Sequence, residues 1–186
     1  AKEEFQKAWG GKIWDKGFQV TLAYDTGNEV FQTACEILKE NIESLNPRFK
    51  IQIQGIQWPS FLDSLKLGQL PAIVISWIAD YPDPHNLIFS HYHSNGAIGG
   101  AQGEGFAEFA KNNLNHQIDA ALIETNPESR QKLYENIQID AYKHALGIPL
   151  FQPIEIHLMK NCVKDWGFNP IQCGEANFDI IYKKEQ

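Results

Sequence analysis

The residues best suited to chemistry lie in one short segment, Ser76-Trp77-Ile78-Ala79-Asp80-Tyr81-Pro82-Asp83-Pro84. The carboxylate of Asp80 can accept charge-assisted hydrogen bonds from an amine. Trp77 and Tyr81 offer flat apolar surfaces and cation–π contacts to a cationic group. This combination in a proline-stiffened segment favours a binding site for a cationic or polar ligand. The alternative is that Asp80 and Asp83 only cap turns beside the prolines, as such residues often do.

A second candidate is the histidine-rich stretch from His85 to Ala101, which we interpret as a loop. His85, His91 and His93 lie within nine residues of one another, and His91 and His93 would share one face of a strand. Neutral imidazoles bind nickel or zinc, and a nearby aspartate would have to complete the ligand set. No cysteine is near, so the sequence favours the rim of a pocket over a metal centre. No metal or other cofactor is expected.

Catalysis is the competing class of function. Asp80 and Asp83 resemble in type the paired carboxylates of a glycosidase. However, the sequence contains neither a Gly-x-Ser-x-Gly elbow nor the glycine patterns of phosphate-binding and dinucleotide-binding loops. Nothing in the sequence marks either aspartate as an acid with a raised pKa. We therefore predict binding without catalysis, and hydrolysis by these two aspartates is the less favoured alternative.

Strand patterns alternate with helix patterns, which predicts an α/β fold with a mixed, mostly parallel sheet flanked by helices. The third predicted strand, Leu70 to Ile78, is apolar on both faces, as in the middle of a covered sheet. It leads directly into Asp80, and ligands of open α/β sheets sit beyond the carboxyl ends of the strands. The other predicted strands are Phe18 to Tyr24, Phe49 to Ile56, Ile148 to Phe151 and Ile154 to Met159.

Helix patterns occupy most of the remaining chain. Thr26 stands three residues before Glu29, which predicts a capping box ahead of the first long helix. Asn126-Pro127 predicts an N-cap and a first-turn proline for the last helix. The predicted helices are Val30 to Leu45, Phe61 to Leu67, Phe106 to Glu124 with a break at Asn112-Asn113, and Pro127 to Gly147.

Composition limits the class of protein. The 186 residues are 43% hydrophobic and 21% charged, which is typical of a globular domain or one large lobe. The formal net charge is −7 and basic residues do not cluster, which argues against a nucleic-acid partner. No apolar run approaches the roughly 20 residues of a membrane span. The first ten residues resemble half of an amphipathic helix, so the chain is expected to be a fragment of a longer protein.

The three cysteines leave the redox state open. Cys162 and Cys173 are close in sequence and could pair in an oxidising compartment. The alternative is three reduced and buried thiols, with Cys35 on the buried face of a helix. Spacing does not decide between them.

Five segments resemble, in the same order, those of one family. They match its opening strand, a helix start, a Trp-x-x-Asp-Tyr-x-Asp-Pro segment, paired helices and a return strand. The segments are Gly17 to Leu22, Gln57 to Leu62, Ser76 to Pro84, Gln117 to Leu122 followed by Asn126 to Tyr134, and Ile148 to Pro153. The chain resembles the C-terminal lobe of the extracellular solute-binding proteins of peptide and nickel ABC transporters, the dipeptide- and oligopeptide-binding family.

The resemblance implies a type II periplasmic-binding-protein fold. Residues 1–186 would form the C-terminal ligand-binding lobe of a two-lobed protein, with residues from about 155 to 186 returning toward the other lobe. In peptide-binding members the acidic residue after Trp-x-x captures the free α-amino group, and that residue here is Asp80. Trp77 would be a wall of the pocket, Tyr81 and Ala79 further ligand contacts, and Asp83 a brace for the turn.

The implied function is that of the substrate-binding component of an ABC transporter. Two lobes would close around a peptide by a hinge motion, and the loaded protein would deliver the peptide to the membrane permease. The intact protein would be a monomer without enzymatic activity, exported to the periplasm or cell envelope with a lipid anchor as one option. The alternative ligands are nickel or another small solute, such as an oligosaccharide or an opine.

Overall fold

The computed structural model describes residues 1–154, 156–167, 169 and 178–184. The chain divides into two compact units, residues 1–76 with 100–103, and residues 77–99 with 104–186. In the described part of the chain, every helix is too short or too polar to span a bilayer.

The first unit is built on a parallel sheet. Its elements in chain order are α1 (Lys2–Lys7), a 3-10 helix (Ala8–Gly11), α2 (Lys12–Lys16), β1 (Phe18–Asp25), α3 (Glu29–Leu45), β2 (Phe49–Ile56), α4 (Trp58–Lys66) and β3 (Ala72–Ile73). The strand order is β2-β1-β3. β1 pairs with β2 from Phe18 opposite Phe49 to Asp25 opposite Ile56, while β3 meets β1 only at its two residues. The predicted strands from Phe18 and from Phe49 are therefore confirmed.

Consecutive strand residues point to opposite sides of the sheet, and both sides carry apolar side chains. Helices therefore cover both faces. Leu22 and Tyr24 of β1 face one side, where they pack with buried Cys35 of α3. Ala23 faces the other side and packs with Phe61 and Leu65 of α4. Burial of Cys35 agrees with the prediction, and this burial raises the pKa of its thiol. Cys173 lies outside the described residues, and so does the choice between a Cys162–Cys173 bridge and reduced thiols that the sequence left open.

The predicted strand from Leu70 to Ile78 is wrong in both length and position. Regular pairing covers Ala72–Ile73, Val74 donates one more hydrogen bond to the carbonyl of Ala23 at 2.9 Å, and β3 lies at the edge of the described sheet. Val74 and Ile75 pack into the two cores on opposite faces. The run is apolar because its residues are buried on both sides of the chain. Hydrophobic periodicity alone cannot distinguish such a buried segment from a paired strand.

The start of α3 also differs from the prediction. Asn28 is the N-cap, and its Oδ1 accepts a hydrogen bond from the Phe31 amide at 3.1 Å. Thr26 instead continues the sheet, because its amide donates to the Ile56 carbonyl at 2.9 Å. Both residues are good N-caps by type, but only Asn28 immediately precedes the first helical residue.

The second unit is mainly helical. Its elements in chain order are α5 (Pro84–Tyr92), α6 (Glu104–Asn113), α7 (Asn115–Ile123), α8 (Pro127–Lys143), β4 (Val163–Lys164) and β5 (Tyr182–Lys183). A short 3-10 helix, Gly99–Ala101, has residues in both units. β4 and β5 pair antiparallel. The predicted break between α6 and α7 is confirmed, as is the N-cap Asn126, whose Oδ1 accepts from the Ser129 amide at 2.9 Å. The core joins α5, α7 and α8 through Ile88, Leu114, Ile118, Ala121, Tyr134 and Ile137.

Two further strands predicted from sequence do not form. No described residue of 148–154 or 156–159 belongs to a strand. Ile154, Ile156 and Leu158 alternate as strand residues do, yet each is more than 80% exposed. A strand needs a neighbouring backbone to satisfy its hydrogen bonds, and none of the described residues supplies one here.

Candidate ligand-binding site

A single side chain of α5 holds the segment that sequence analysis singled out. Oδ1 of Asn86 accepts hydrogen bonds from the indole Nε1 of Trp77 at 2.7 Å and from the Asp80 amide at 3.3 Å. Nδ2 of Asn86 donates to Oδ2 of Asp80 at 3.0 Å. Asn86 is buried, with 7% of its surface exposed. The structure therefore brings Trp77 and Asp80 together through Asn86, a residue that the sequence did not single out.

The start of α5 explains how Asn86 reaches back to this segment. Asp83 is the N-cap, since its Oδ1 accepts from the His85 amide at 2.8 Å, and Pro84 occupies the first helical position. Asn86 is then the third residue of the helix. Side chains of a helix tilt toward its N-terminus, and a residue at this position is placed to bond to the chain that precedes the helix.

Asp80 presents a carboxylate with a defined direction. Asp80 is exposed, and its Oδ2 accepts the hydrogen bond from Asn86. Among the described residues, none donates a hydrogen bond to Oδ1 of Asp80. One fixed and one available oxygen is a suitable arrangement for accepting a charge-assisted hydrogen bond from a ligand ammonium group.

The neighbouring side chains supply surface rather than charge. The Trp77 ring is half-buried and lies edge-on to the His91 ring, with 6.0 Å between centroids. Tyr81 is 42% exposed, and its hydroxyl forms a hydrogen bond with Nδ1 of His85 at 2.9 Å. Ala79 is half-buried between Trp77 and Asp80. Trp77 thus rests on α5 and remains partly exposed.

Asp83 joins α5 to α8. Its Oδ1 accepts a 2.8 Å hydrogen bond from the Arg130 guanidinium, which also donates to the Ala121 carbonyl at 3.0 Å and the Tyr134 hydroxyl at 3.0 Å. The hydrogen bond from Arg130 holds the pKa of Asp83 below its ordinary value. A lowered pKa is the opposite of what the general acid of a glycosidase needs. These contacts are those of a structural brace.

Asp83→Asn is expected to lower the free energy of unfolding at neutral pH by about 1 kcal/mol, because asparagine keeps the cap but not the ion pair. The pKa of Asp83 is lowered in the folded state, so this stabilisation is complete above the unfolded pKa of about 3.9. It is lost as pH falls through the lower folded pKa. Urea denaturation should show a constant difference between the two proteins down to about pH 4 and convergence at lower pH; a difference that persists unchanged well below that pH would contradict the assignment.

The histidines do not lie in a loop and strand as predicted. His85 and His91 belong to α5, and His93 is its C-cap. The Asp83-Pro84 start and the apolar residues at helical spacing favour this helix. The Phe89 ring stacks between His85 and His93, at 5.1 Å and 4.5 Å between centroids.

Each of the predicted metal candidates has a different role. His91 Nδ1 bonds to the Leu87 carbonyl at 2.9 Å. His93 is buried, its Nδ1 accepts from the Asn95 amide at 3.0 Å, and burial lowers its pKa. Within the described ranges, no three histidine, cysteine, aspartate or glutamate side chains are grouped to hold a metal ion.

The family of the chain follows from comparison with known proteins. Residues 1–99, more than half of the 186, match the bacterial extracellular solute-binding proteins, family 5, middle region. The chain belongs to this family. The matched region includes Trp77, Asp80 and Asn86.

Curated relatives of this family 5 chain are longer proteins. It is 25% identical over 122 residues to Di/tripeptide-binding protein 4 of Pseudomonas aeruginosa, covering 66% of the chain and 22% of that protein. It is 28% identical over 126 residues to Heme-binding protein A of Haemophilus influenzae, covering 68% of the chain and 21% of that protein. The chain thus spans about a fifth of the length of these relatives.

Solved structures establish the fold of the family 5 chain. The Escherichia coli murein tripeptide binding protein aligns with a TM-score of 0.71 and 20% identity, over 92% of the chain and 32% of that protein. The pheromone receptor PrgZ aligns with a TM-score of 0.70 and 16% identity, over 99% of the chain and 34% of that protein. The fold is that of a type II periplasmic binding protein, an α/β structure with a parallel sheet flanked by helices. The predicted fold class is confirmed.

Asn86 is the residue of this candidate site that the sequence did not predict. A signal is present, because Asp83-Pro84 has the same form as Asn126-Pro127, which predicts a helix start. Applied here, that signal places Asn86 in the first turn of a helix. The partners of its amide, however, depend on how the preceding segment folds back.

Proposed function

We propose that this chain is the ligand-binding lobe of the substrate-binding component of an ABC transporter. That component captures peptides outside the cytoplasmic membrane. Membership of the extracellular solute-binding family supports the general role. The names of relatives that bind di- and tripeptides or murein tripeptide support the ligand class. The observation that carries the proposal is the exposed Asp80 carboxylate, oriented by buried Asn86 beside a half-buried Trp77.

The peptide's α-ammonium group would donate to Asp80, and Trp77, Tyr81 and Ala79 would line the pocket around it. Closure of a second lobe would remove water and strengthen this attraction, because charges interact more strongly at low dielectric. Residues 1–186 would form one lobe, with residues from about 155 returning toward the other. The intact protein would be a monomer exported to the periplasm or cell envelope, with a permease as its partner and lipid anchoring as an option.

Asp80→Asn in the intact protein is expected to weaken peptide binding about 10- to 100-fold, because it removes the charge from the hydrogen bond to the amine. Calorimetric titration with a tripeptide measures this effect. Asp63→Asn is the matched control, since Asp63 is exposed on α4 of the first unit, and it should bind like the wild type.

A panel of ligands tests the class of solute in the same calorimeter. We expect binding heat with di- and tripeptides and no chemical change in the recovered peptide. Binding of nickel or an oligosaccharide with no response to any peptide would overturn the proposal. Cleavage of the bound peptide would overturn the assignment to binding without catalysis.

A further inference from the structure

The amide of Asn86 is fixed in one orientation by the chemistry of its partners. Trp77 Nε1–H and the Asp80 amide are both donors, so the atom that faces them must be the oxygen of Asn86. The ionised carboxylate of Asp80 only accepts, so the atom that faces it must be the nitrogen. Rotation of this one planar group would break all three hydrogen bonds at once.

Asparagine suits this position better than its nearest isosteres. Aspartate would place a second carboxylate oxygen about 3 Å from Oδ2 of Asp80, where like charges repel. Leucine has a similar shape but leaves the Trp77 indole N–H and the Asp80 amide without their acceptor. The site therefore uses both the acceptor and the donor of the amide.

The backbone that carries Asn86 is tied to the core of the second unit. The N-cap Asp83 is bonded to Arg130 of α8, and Ile88, two residues after Asn86, is buried against α7 and α8. Asn86 itself is buried, whereas Asp80 is exposed. The start of α5, which is held by the core, thus fixes Asn86, and Asn86 in turn orients the exposed side chain of Asp80.

We propose that Asn86 is a positioning residue that sets the direction of the Asp80 carboxylate and is itself anchored by the indole N–H of Trp77. This inference rests on the proposed function, because the positioned carboxylate is the one that receives the peptide amine. Asn86 does not touch the ligand; it couples the charged contact of the pocket to its aromatic wall. Loss of the Asn86 amide should therefore act through Asp80.

The test is a double-mutant cycle in the intact protein with trialanine and N-acetyl-trialanine as probes. We expect Asn86→Leu to weaken trialanine binding about 10-fold in the wild-type background and less than about twofold in the Asp80→Asn background. Binding of N-acetyl-trialanine should change less than about twofold, because acetylation removes the ammonium group. A purely structural role of Asn86 would instead weaken both probes equally in both backgrounds, and that result would overturn the proposal.

Trp77→Phe provides a second test of the positioning role if thermal denaturation shows that Asn86→Leu does not fold. It keeps an aromatic ring but removes the indole N–H that anchors Asn86, together with part of the ring surface that both peptides would contact. The affinity ratio of trialanine to its acetylated form should fall about threefold or more. An unchanged ratio would overturn the positioning role while leaving amine capture intact. If Asp80→Asn alone left trialanine affinity unchanged, amine capture would fail, and the role of Asn86 with it.

Discussion

Gly96→Ala is expected to destabilise the second unit by about 3 kcal/mol, because the added methyl group would meet backbone that cannot move away. A Cβ at this position would collide with the Phe89 carbonyl oxygen and lie 2.7 Å from that of Ser90. Both carbonyls belong to α5 and are already engaged. Phe89 accepts from the His93 amide at 3.1 Å, and Ser90 accepts from the Ile98 amide at 2.9 Å.

Chemical denaturation measures the loss in stability, and hydrogen exchange at the Ile98 amide locates it. The matched control is Gly105→Ala in α6, where a Cβ would meet no atom within 4 Å. That control should be neutral or stabilising by up to about 1 kcal/mol, since alanine is the better helix former. If Gly96→Ala were as stable as the wild type, the described packing of residues 93–99 on α5 would be wrong.

Phe49→Ala is expected to destabilise the first unit by about 3 to 5 kcal/mol, the usual cost of removing a buried phenylalanine ring. Phe49 is fully buried at the start of β2. Its ring contacts those of Phe18 at 4.7 Å, Phe5 at 5.1 Å and Trp14 at 5.8 Å between centroids. Three large rings cannot collapse into the space that a methyl group leaves, so a cavity remains.

The same substitution at Phe178 provides the control, because that side chain is 83% exposed. Phe178→Ala should change the free energy of unfolding by no more than about 0.5 kcal/mol. Both variants are compared with the wild type by urea denaturation. Equal stability of the two variants would contradict the burial of Phe49 in an aromatic cluster.

Alternation and helix caps predicted the regular part of the fold. The strand from Phe49 to Ile56 has the same bounds in sequence analysis and structure. Its buried residues, Phe49 and Ile51, alternate with exposed Lys50 and Gln52, so the periodicity is strong. The start of α8 was equally clear, because Asn126-Pro127 combines a cap with a first-turn proline.

The errors arose where local patterns compete with tertiary contacts. The run from Leu70 to Ile78 is apolar because Val74 and Ile75 enter two different cores, but only Ala72–Ile73 pair with β1. The histidines and glycines after Pro84 suggested a loop, whereas burial of Ile88 against α7 and α8 favours a helix there. Alternation at Ile154 to Leu158 predicted a strand that finds no partner among the described residues.

The candidate site could be predicted only in part. Trp77 and Asp80 are recognisable by type and by the motif that contains them, because charge and aromatic surface are properties of single residues. Asn86 carries neither signal. Its importance arises from hydrogen bonds across six and nine positions of the chain, which require a fold-back that no local pattern specifies.

Capture of a peptide's amino group by Asp80 is the basis of the proposed function. The most direct measurement is calorimetric titration of the intact protein with trialanine and with N-acetyl-trialanine, for the wild type and Asp80→Asn. We predict that acetylation weakens binding to the wild type by about 10-fold or more and that Asp80→Asn removes this difference. Equal affinity of the wild type for the two peptides would contradict the claim.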